Sequence, residues 1–409
     1  MTQLHVETLI AGGGIGGLAT ALAIARTGKP VHLVERAPAF GEIGAGLQIG
    51  PNATRALDKL GLLDDVLKTA VIPSRGVIFD AVTGEKLTTL DFGDKFLKHY
   101  GHPYIVTHRK DLLDVLLAAC RAEANITLSN NRALAKVHEE EDRIVVEFQD
   151  GDVWTCDVII GADGIKSTVR SLIDHEQPVF TGHVAYRGTV PTGQVADFIN
   201  QEDVALWIGP GVHLMQYPVR SGELYNQVAV IESARYAEGR DDWGTAQEMT
   251  EMFAGMCEPV RRSVSMINAE RGTPVSDREP AETWSSNRAV LIGDAAHAML
   301  QYLGQGACQA LEDALSLADN LDRAEKDHVQ GFKAYEDDRM ERASRCQRAA
   351  RPWGALWHTA DPTTVALRNR YFKLRAPDDY SETDWLYSAT TDEASTKGHP
   401  NEAGKLYHV

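Results

Sequence analysis

The chain opens with blocks of apolar residues that predict a strand, a helix and a second strand. Residues 4–11 (LHVETLIA) form an apolar run of strand length. After a group of glycines, an apolar stretch of helical length continues to about Thr27, where Gly28 is placed to cap the helix. Residues 31–35 (VHLVE) repeat the strand pattern. A strand–helix–strand unit this short predicts a parallel sheet.

The rest of the chain mixes helical spacing with short β-rich runs. A stretch from 181 to 235 contains such runs, separated by Gly, Pro and Ser, and predicts an antiparallel meander. The other predicted elements are helices at 51–69, 110–122, 241–270 and 305–322, strand-and-turn structure from about 73 to 100, and strands at 144–148, 153–160 and 289–292.

This order predicts an α/β fold: a Rossmann-like nucleotide-binding domain interrupted by a β-rich substrate domain, followed by a C-terminal helical segment. Trp353, Trp357, Tyr371, Trp385 and Tyr387 make that last segment too aromatic for a free tail, so we expect it to pack on the body or on a partner subunit. The predicted boundaries are 1–73, 101–178 and 280–350 for the nucleotide-binding domain, 74–100 and 179–279 for the substrate domain, and 351–409 for the C-terminal segment.

Composition narrows the possible partners. The formal net charge of −17 argues against binding to nucleic acid or to an anionic membrane surface. No uninterrupted apolar run approaches the length of a transmembrane helix, and the N-terminus lacks the pattern of a signal peptide. The five cysteines are scattered and odd in number, so we expect a reducing, cytoplasmic location and no disulfide framework. The histidines show no spacing of metal ligands, and no metal is expected.

The glycine run at residues 12–17 matches the GxGxxG fingerprint in its required context, between a strand and a helix. Gly12, Gly14 and Gly17 allow a tight turn and close approach of a pyrophosphate, and the helix N-terminus favours its negative charge. Glu35 ends the second strand, where its carboxylate would accept hydrogen bonds from a ribose. The motif alone leaves NAD and FAD equally possible.

Two further strand–turn–helix signals favour a flavin. Asp163-Gly164 follows a buried strand, and Gly293-Asp294 follows another. Asp294 is placed to bind ribityl hydroxyls. The helix that begins after Gly306 would direct its amides and its dipole at the flavin ring, where they stabilise negative charge.

These motifs, together with the His108–Leu112 segment, resemble the class A flavoprotein aromatic hydroxylases over nearly the whole chain. The resemblance implies non-covalent FAD, NADH as electron donor, O₂ as co-substrate, a flavin hydroperoxide intermediate and a small aromatic acid as substrate. Segments 44–62, 211–220 and 293–306 favour 3-hydroxybenzoate, with gentisate (2,5-dihydroxybenzoate) as product. The residues expected to bind FAD are Gly12, Gly14, Ile15, Gly17, Glu35, Arg36, Gln48, Arg109, Asp163, Asp294, Gly304, Gly306 and Ala307.

The candidate catalytic residues are His213, Tyr217 and Gln301. Strand alternation puts His213, Met215 and Tyr217 on one face of GVHLMQYP, and the family fold lays this face over the flavin. His213 is the candidate base for the phenol, because removing that proton enriches the ring carbons ortho and para to it. Gln301 stands where relatives carry a proline, beside the expected flavin face. The alternatives are a sheet histidine with a backbone partner, a core tyrosine and a loop-structuring amide.

Other functions on the same fold stay open. A salicylate or hydroxynicotinate hydroxylase, a flavin reductase that does not hydroxylate, and a flavin-binding regulatory module share these motifs. The sequence does not identify a partner for the substrate carboxylate. A homodimer is expected from the aromatic C-terminal segment, although packing within one chain explains that segment equally well.

Overall fold

The structure is a computed structural model that describes residues 3–41, 45–268 and 270–388. The predicted positions 389–409 of the C-terminal segment lie outside these residues. The described strands are β1 Gln3–Ala11, β2 Val31–Val34, β3 Gly46–Ile49, β4 Arg75–Asp80, β5 Lys86–Asp91, β6 Ile105–His108, β7 Ile126–Ser129, β8 Leu134–Glu139, β9 Ile144–Phe148, β10 Val153–Gly161, β11 Val179–Pro191, β12 Asp203–Gly209, β13 Val212–Val219, β14 Leu224–Glu232, β15 Thr273–Asp277 and β16 Ala289–Leu291.

The described helices are α1 Ile15–Arg26, α2 Pro51–Lys59, α3 Leu63–Leu67, α4 Asp94–Tyr100, α5 Arg109–Ala122, α6 Ala234–Ala237, α7 Ala246–Met252, α8 Glu258–Val264, α9 Asp294–His297, α10 Gly306–Arg323, α11 His328–His358, α12 Pro362–Leu374 and α13 Asp384–Tyr387. Single 3₁₀ turns lie at Val169–Leu172, Thr192–Gln194 and Gln301–Leu303. No helix in the described part of the chain is long and apolar enough to cross a membrane.

The first sheet is built from both ends of the described chain. Its strand order is β7-β2-β1-β10-β9-β8, with β16 paired to β10. Strand β1 runs parallel to both β2 and β10, and β10 runs parallel to β16. Helix α1 contacts α5 and α10, and it is buried almost all round because it lies between these helices and the sheet. The predicted parallel sheet is therefore observed.

The second sheet has the order β15-β11-β14-β13-β12-β4-β5 and is antiparallel except between β12 and β4. All of its strands fall within the predicted substrate domain, 74–100 and 179–279. Helices α7 and α8 cover one face through a buried cluster that includes Leu214, Phe253 and Val260. The other face is turned toward the first sheet. The fold is thus the predicted Rossmann-like domain with a β-rich insertion, while the boundaries themselves remain a prediction.

Three predicted elements differ from the structure. The helix predicted over 51–69 is divided into α2 and α3. Residues 94–100, predicted as strand and turn, form helix α4, which buries Phe96 and Tyr100 and ends at Gly101 with a φ of 76°. The single predicted helix over 241–270 is two short helices, α7 and α8, separated by a turn. Helices α4, α7 and α8 are each only about two turns long, and packing on the sheet decides structure at that length more than local pattern does.

The C-terminal segment packs on its own chain. Trp357 and Phe372 join a buried cluster with Leu206 and Ile208 of the second sheet. Tyr387 joins a second cluster with Phe96 and Tyr104. The expectation of packing on the body holds for the named aromatic residues of the described segment except Tyr371, which is 45% exposed.

Candidate active site

A cavity of about 1150 Å³ lies between the two sheets. That volume exceeds the range of roughly 300–1,000 Å³ usual for small-molecule pockets, so the cavity has room for a cofactor and a substrate together. Its walls are the glycine loop after β1, the ends of β2 and β10, the loop before α10, and one face of the second sheet.

The glycine loop forms a wall made of backbone. Gly12 has a φ of +112°, and a Cβ added there would lie 2.3 Å from the carbonyl oxygen of Ala162. A Cβ on Gly17 would lie 1.9 Å from the carbonyl oxygen of Gly12. Helix α1 starts at Ile15 with Gly14 as its N-cap, which supplies no side-chain cap. The N–H groups of the first turn are therefore available to an anion in the cavity, and Gly14 and Ile15 both line it.

Glu35 and Arg36 line the cavity next to this loop. The Glu35 carboxylate accepts hydrogen bonds from the N–H groups of Gly13, at 2.7 Å, and Ala37, at 2.9 Å. These bonds fix the carboxylate beside the glycine loop. Carboxylate oxygens can accept further hydrogen bonds, so the predicted ribose contact fits this geometry.

Arg109, Asp294 and Gln48 line the opposite part of the cavity. Burial lowers the pKa of the Arg109 guanidinium, and the nearby negative charge of Asp294 opposes this shift. The side-chain oxygen of Gln48 accepts a hydrogen bond of 2.6 Å from the Tyr104 hydroxyl. These polar groups come from three separate parts of the chain.

The loop before α10 brings backbone to the same wall. Gly304 has a φ of 63°, and α10 begins at Gly306 without a side-chain cap. Gly304, Gly306 and Ala307 all line the cavity, so the first turn of α10 presents its amides there.

Asp163 lines the cavity, but its carboxylate serves its own loop. It accepts hydrogen bonds from the Ser167 hydroxyl at 2.5 Å and from the N–H of Thr168 at 2.6 Å. The side chain thus shapes the turn after β10, and the backbone of that turn faces the cavity. A direct cofactor contact by this carboxylate remains a prediction.

The donor set fits FAD. Two uncapped helix N-termini, those of α1 and α10, supply amides for the pyrophosphate and the flavin, and the carboxylates of Glu35 and Asp294 can accept from sugar hydroxyls. The glycine wall leaves no side chain between the ligand and the backbone.

A buried ion cluster supports this wall from behind. His297 Nε2 lies 2.6 Å from Asp313, which also accepts from the N–H of Gly293 at 2.9 Å. Arg339 donates to Asp313 at 3.0 Å. His297 is fully buried and away from the cavity, so its role is structural.

The second sheet forms the wall opposite the glycine loop. His213, Met215 and Tyr217 of β13 line the cavity, while Leu214 and Gln216 face the other side. Gln216 is fully buried, accepts from the Trp207 indole at 3.0 Å and donates to Gln227 at 3.0 Å. The structure therefore shows the alternation that the sequence predicts.

His213 is held by another histidine and not by backbone. Its Nδ1 lies 2.7 Å from Nε2 of His358, at the end of α11. Burial holds the pKa of the His213 imidazole well below its ordinary value, and the nearby charge of Arg187 acts in the same direction. In the described chain, Nε2 of His213 has no hydrogen-bond partner, so it is the nitrogen left for a ligand.

The Tyr217 ring packs closely against the Gly46 backbone of β3. A Cβ on Gly46 would lie 2.4 Å from the Tyr217 ring, so β3 and this ring are in close contact. Burial raises the pKa of the Tyr217 hydroxyl, and Arg187 opposes the shift. Tyr217 therefore packs as a core residue and lines the cavity at once.

Gln301 meets a cation that the sequence did not single out. Its side-chain oxygen accepts a hydrogen bond of 2.8 Å from Arg187 on β11, and both residues line the cavity. Arg187 pairs with Val228 across the sheet, and Val228 pairs with Met215, so the three form one row. Alternation within the β-rich run containing Tyr186-Arg187-Gly188 was the available signal, but nothing local indicates which face of that strand is turned to the cavity.

The sequence also missed a cluster around His358. Ligating atoms of His183, Glu232 and His358 all lie within 4.8 Å of one another. These residues are far apart along the chain, so a search for metal-ligand spacing passes over them.

Comparison with known proteins agrees with this geometry. A family model described as FAD binding domain matches residues 5–350. The chain belongs to this family, as a member of the flavoprotein aromatic hydroxylases, and its cofactor is FAD.

Individual relatives are similar over almost their full length. The chain is 36% identical to a 3-hydroxybenzoate 6-hydroxylase from Klebsiella oxytoca, covering 95% of this chain and 98% of the relative. It is 34% identical to a 6-hydroxynicotinate 3-monooxygenase from Bordetella bronchiseptica, covering 83% and 89%. The solved structure of a salicylate hydroxylase substrate complex superposes with a TM-score of 0.76 at 26% identity, covering 96% and 97%.

Proposed function

We propose that this FAD-dependent aromatic monooxygenase converts 3-hydroxybenzoate, NADH, H⁺ and O₂ into 2,5-dihydroxybenzoate (gentisate), NAD⁺ and water. The observation that carries the proposal is the sheet face over the cofactor wall, which combines a buried base, His213, with a cation, Arg187. The similarity to the 3-hydroxybenzoate 6-hydroxylase of Klebsiella oxytoca supports the choice of substrate.

The proposed binding mode uses both ends of the substrate. Arg187 and His213 lie on strands separated by β14, and Arg187 is in the row of Met215, two residues along β13 from His213. Two strand spacings together with this offset put their Cα atoms roughly 12 Å apart. Arg187 would bind the carboxylate, and Gln301 would hold its guanidinium in place through their hydrogen bond of 2.8 Å. His213 would face the phenol at the other side of the ring. Met215 and Val228, between them, supply apolar contact for the ring.

His213 is proposed as the base. Its Nε2 would take the phenol proton, which makes the ring electron-rich at the carbons ortho and para to the oxygen. The carbon para to the phenol lies next to the carboxylate-bearing carbon, so attack there gives the 2,5-dihydroxy acid. Tyr217, packed beside this site, would position the ring. When bound, FAD would supply the redox chemistry, because the flavin takes electrons from NADH and passes them to O₂.

The test is NADH consumption in air with and without 3-hydroxybenzoate, with H₂O₂ measured and the product identified by chromatography. We expect the acid to stimulate NADH oxidation and gentisate to accumulate with little peroxide. NADPH in place of NADH is expected to be a poorer donor.

Other outcomes would redirect the proposal. Stimulated NADH loss with peroxide as the only product would mean that the acid is an effector. Salicylate and 6-hydroxynicotinate would then be tested as substrates. Failure of all such acids to stimulate NADH loss would favour a flavin reductase.

We further propose a cytoplasmic homodimer. All five cysteines are unpaired, which suits a reducing compartment. Sedimentation of the holoenzyme measures the dimer directly, and a single species of monomer mass would contradict it.

A further inference from the structure

Three histidines form a continuous row from the cavity wall toward the surface. His213 Nδ1 lies 2.7 Å from His358 Nε2, and His358 Nδ1 lies 3.0 Å from His183 Nε2. Both distances are hydrogen-bond lengths. The three residues come from β13, the end of α11 and β11, so the row exists only in the folded chain.

The row ends beside an exposed carboxylate. Glu232 Oε1 lies 3.6 Å from His358 Nδ1 and 3.7 Å from His183 Nε2. His213 is buried, and side-chain exposure rises from 1% at His358 to 13% at His183 and 54% at Glu232. The two histidines beside it lower the pKa of Glu232 to about 2, so its negative charge is present at neutral pH.

The row of histidines explains how His213 could accept a proton without keeping the positive charge. Burial above all, and then the neighbouring His358 and His183 and the charge of Arg187, lower the pKa of this imidazole, yet a base for the phenol has to accept a proton. An imidazole whose second nitrogen donates to another imidazole can release one proton as it accepts another. The charge then moves outward and is not held beside the substrate.

Resting on the function proposed above, we propose that His358 and His183 conduct the phenol proton from His213 to solvent at Glu232. The phenol O–H bond breaks and its proton bonds to Nε2 of His213. The proton on Nδ1 of His213 moves to Nε2 of His358, and the proton on Nδ1 of His358 moves to Nε2 of His183. His183, then an imidazolium beside the Glu232 carboxylate, gives a proton to water.

No electrons are transferred, and one proton enters the row for each that leaves it. The same steps in reverse return a proton to the oxygen of the product and restore the starting tautomers. His213 touches the substrate in this scheme, while His358 and His183 act through it.

A metal ion at His183, Glu232 and His358 is the competing interpretation. Two imidazole nitrogens on one tetrahedral zinc lie about 3.3 Å apart, given zinc–nitrogen bonds of 2.0–2.1 Å. The observed 3.0 Å between His358 and His183 is shorter, and the two distances to Glu232 are longer. Hydrogen bonding describes the cluster better than coordination does.

The test follows proton release without turnover. Holoenzyme is mixed rapidly with 3-hydroxybenzoate in weak buffer containing a pH indicator, with no NADH present, and phenolate absorption is recorded in parallel. We expect the wild type to release a proton as phenolate forms. We expect proton release to be at least tenfold slower in His358→Gln and in His183→Asn. Their FAD absorption and their affinity for 3-hydroxybenzoate should change less than twofold.

Two controls separate conduction from structure. His138→Asn removes another exposed histidine that lies 3.6 Å from a glutamate, Glu147, away from the cavity, and should leave the rate unchanged. Added imidazole should restore proton release in His183→Asn, because the outer end of the row reaches solvent. A purely structural loss would not respond to imidazole.

The outcomes distinguish the two proposals. If the wild type oxidises NADH in response to the acid but both variants release protons at its rate, the relay is wrong and the function stands. If His358→Gln does not retain FAD, the rate of proton release by His183→Asn alone tests the relay. One equivalent of zinc in purified holoenzyme, lost in His183→Asn, would also overturn the relay. If the wild type neither binds the acid nor oxidises NADH with it, both proposals fall.

Discussion

At the scale of a single residue, Arg187 adds a positive charge to the candidate active site. It lies on the sheet face that lines the cavity and donates to Gln301 at 2.8 Å, and we propose it as the partner of the substrate carboxylate. The Arg187 side chain is exposed to the open cavity, and its guanidinium stays charged at any physiological pH. This positive charge favours an acidic substrate.

Arg187→Met is therefore expected to raise the KM for 3-hydroxybenzoate by about 10- to 100-fold, the loss of a charge-assisted hydrogen bond worth roughly 1.5–3 kcal/mol. We expect kcat to change less. Steady-state kinetics give both constants. The matched control is the affinity of 3-methylphenol, which has no carboxylate and should bind wild type and variant alike. Equal loss for both ligands would show that Arg187 shapes the cavity and does not bind the acid.

At the scale of elements, the turn from β1 into α1 is the part of the cofactor wall most sensitive to added atoms. The backbone leaves no room for a side chain at Gly17, because a Cβ there would lie 1.9 Å from the Gly12 carbonyl oxygen. At Gly16, one residue earlier, the nearest atom would be the Ala310 Cβ at 3.2 Å. Neighbouring glycines in one motif therefore differ in what they tolerate.

Gly17→Ala is expected to weaken FAD binding at least tenfold, because the loop must open to admit the methyl group and its amides then move. Gly16→Ala, the control, should change the affinity less than about twofold. Flavin absorbance of the purified proteins and titration of apoprotein with FAD measure this. Normal FAD content in Gly17→Ala would mean that the loop is not the cofactor's cradle.

At the scale of the whole molecule, the buried ion cluster ties α10 and α11 to the loop behind the cofactor wall. Arg339 donates to Asp313 at 3.0 Å and to Glu312 at 2.5 Å, and Arg342 donates to Glu312 at 2.7 Å. Burial alone would raise the pKa of Glu312, but the two arginines hold it at about 2. Its contribution to stability is present above the unfolded-state pKa near 4.5 and is lost as the pH falls toward 2.

Arg339→Met is expected to lower the free energy of unfolding by about 3–5 kcal/mol, since it removes one ionic partner from each of two largely buried carboxylates, Glu312 and Asp313. Arg348→Met is the control on the same helix. Arg348 pairs with Glu341 at the surface, with side chains 51% and 83% exposed, and its loss should cost less than about 1 kcal/mol. Urea unfolding of both holoenzymes measures the difference. Equal effects would show that the cluster adds nothing beyond a surface pair.

The C-terminal segment belongs to the same scale. Its aromatic residues named above, except the exposed Tyr371, pack on their own chain, so their number gives no support for a partner subunit. The homodimer therefore stays a prediction that only a measurement of mass in solution can decide.

Much of the fold follows from the sequence because its signals are local. The apolar runs around Gly12–Gly17 predict the first strand–helix–strand unit, and the period of two along β13 predicts that His213 and Tyr217 share a face. Helix α4 was missed because seven residues are too few for periodicity to outweigh turn signals. These are properties of a residue and its near neighbours.

The contacts that give the site its chemistry join distant residues, and only the tertiary structure decides them. His213 meets His358 across 145 positions, His358 meets His183 across 175, and Arg187 meets Gln301 across 114. A hydrophobic period of two or 3.6 residues indicates the face of a strand or helix on which a side chain lies. It does not indicate which distant residue contacts that side chain. The sequence by itself determined the flavin-binding fold and the strand face that carries His213; packing of the end of α11 against the second sheet decided which residues His213 contacts.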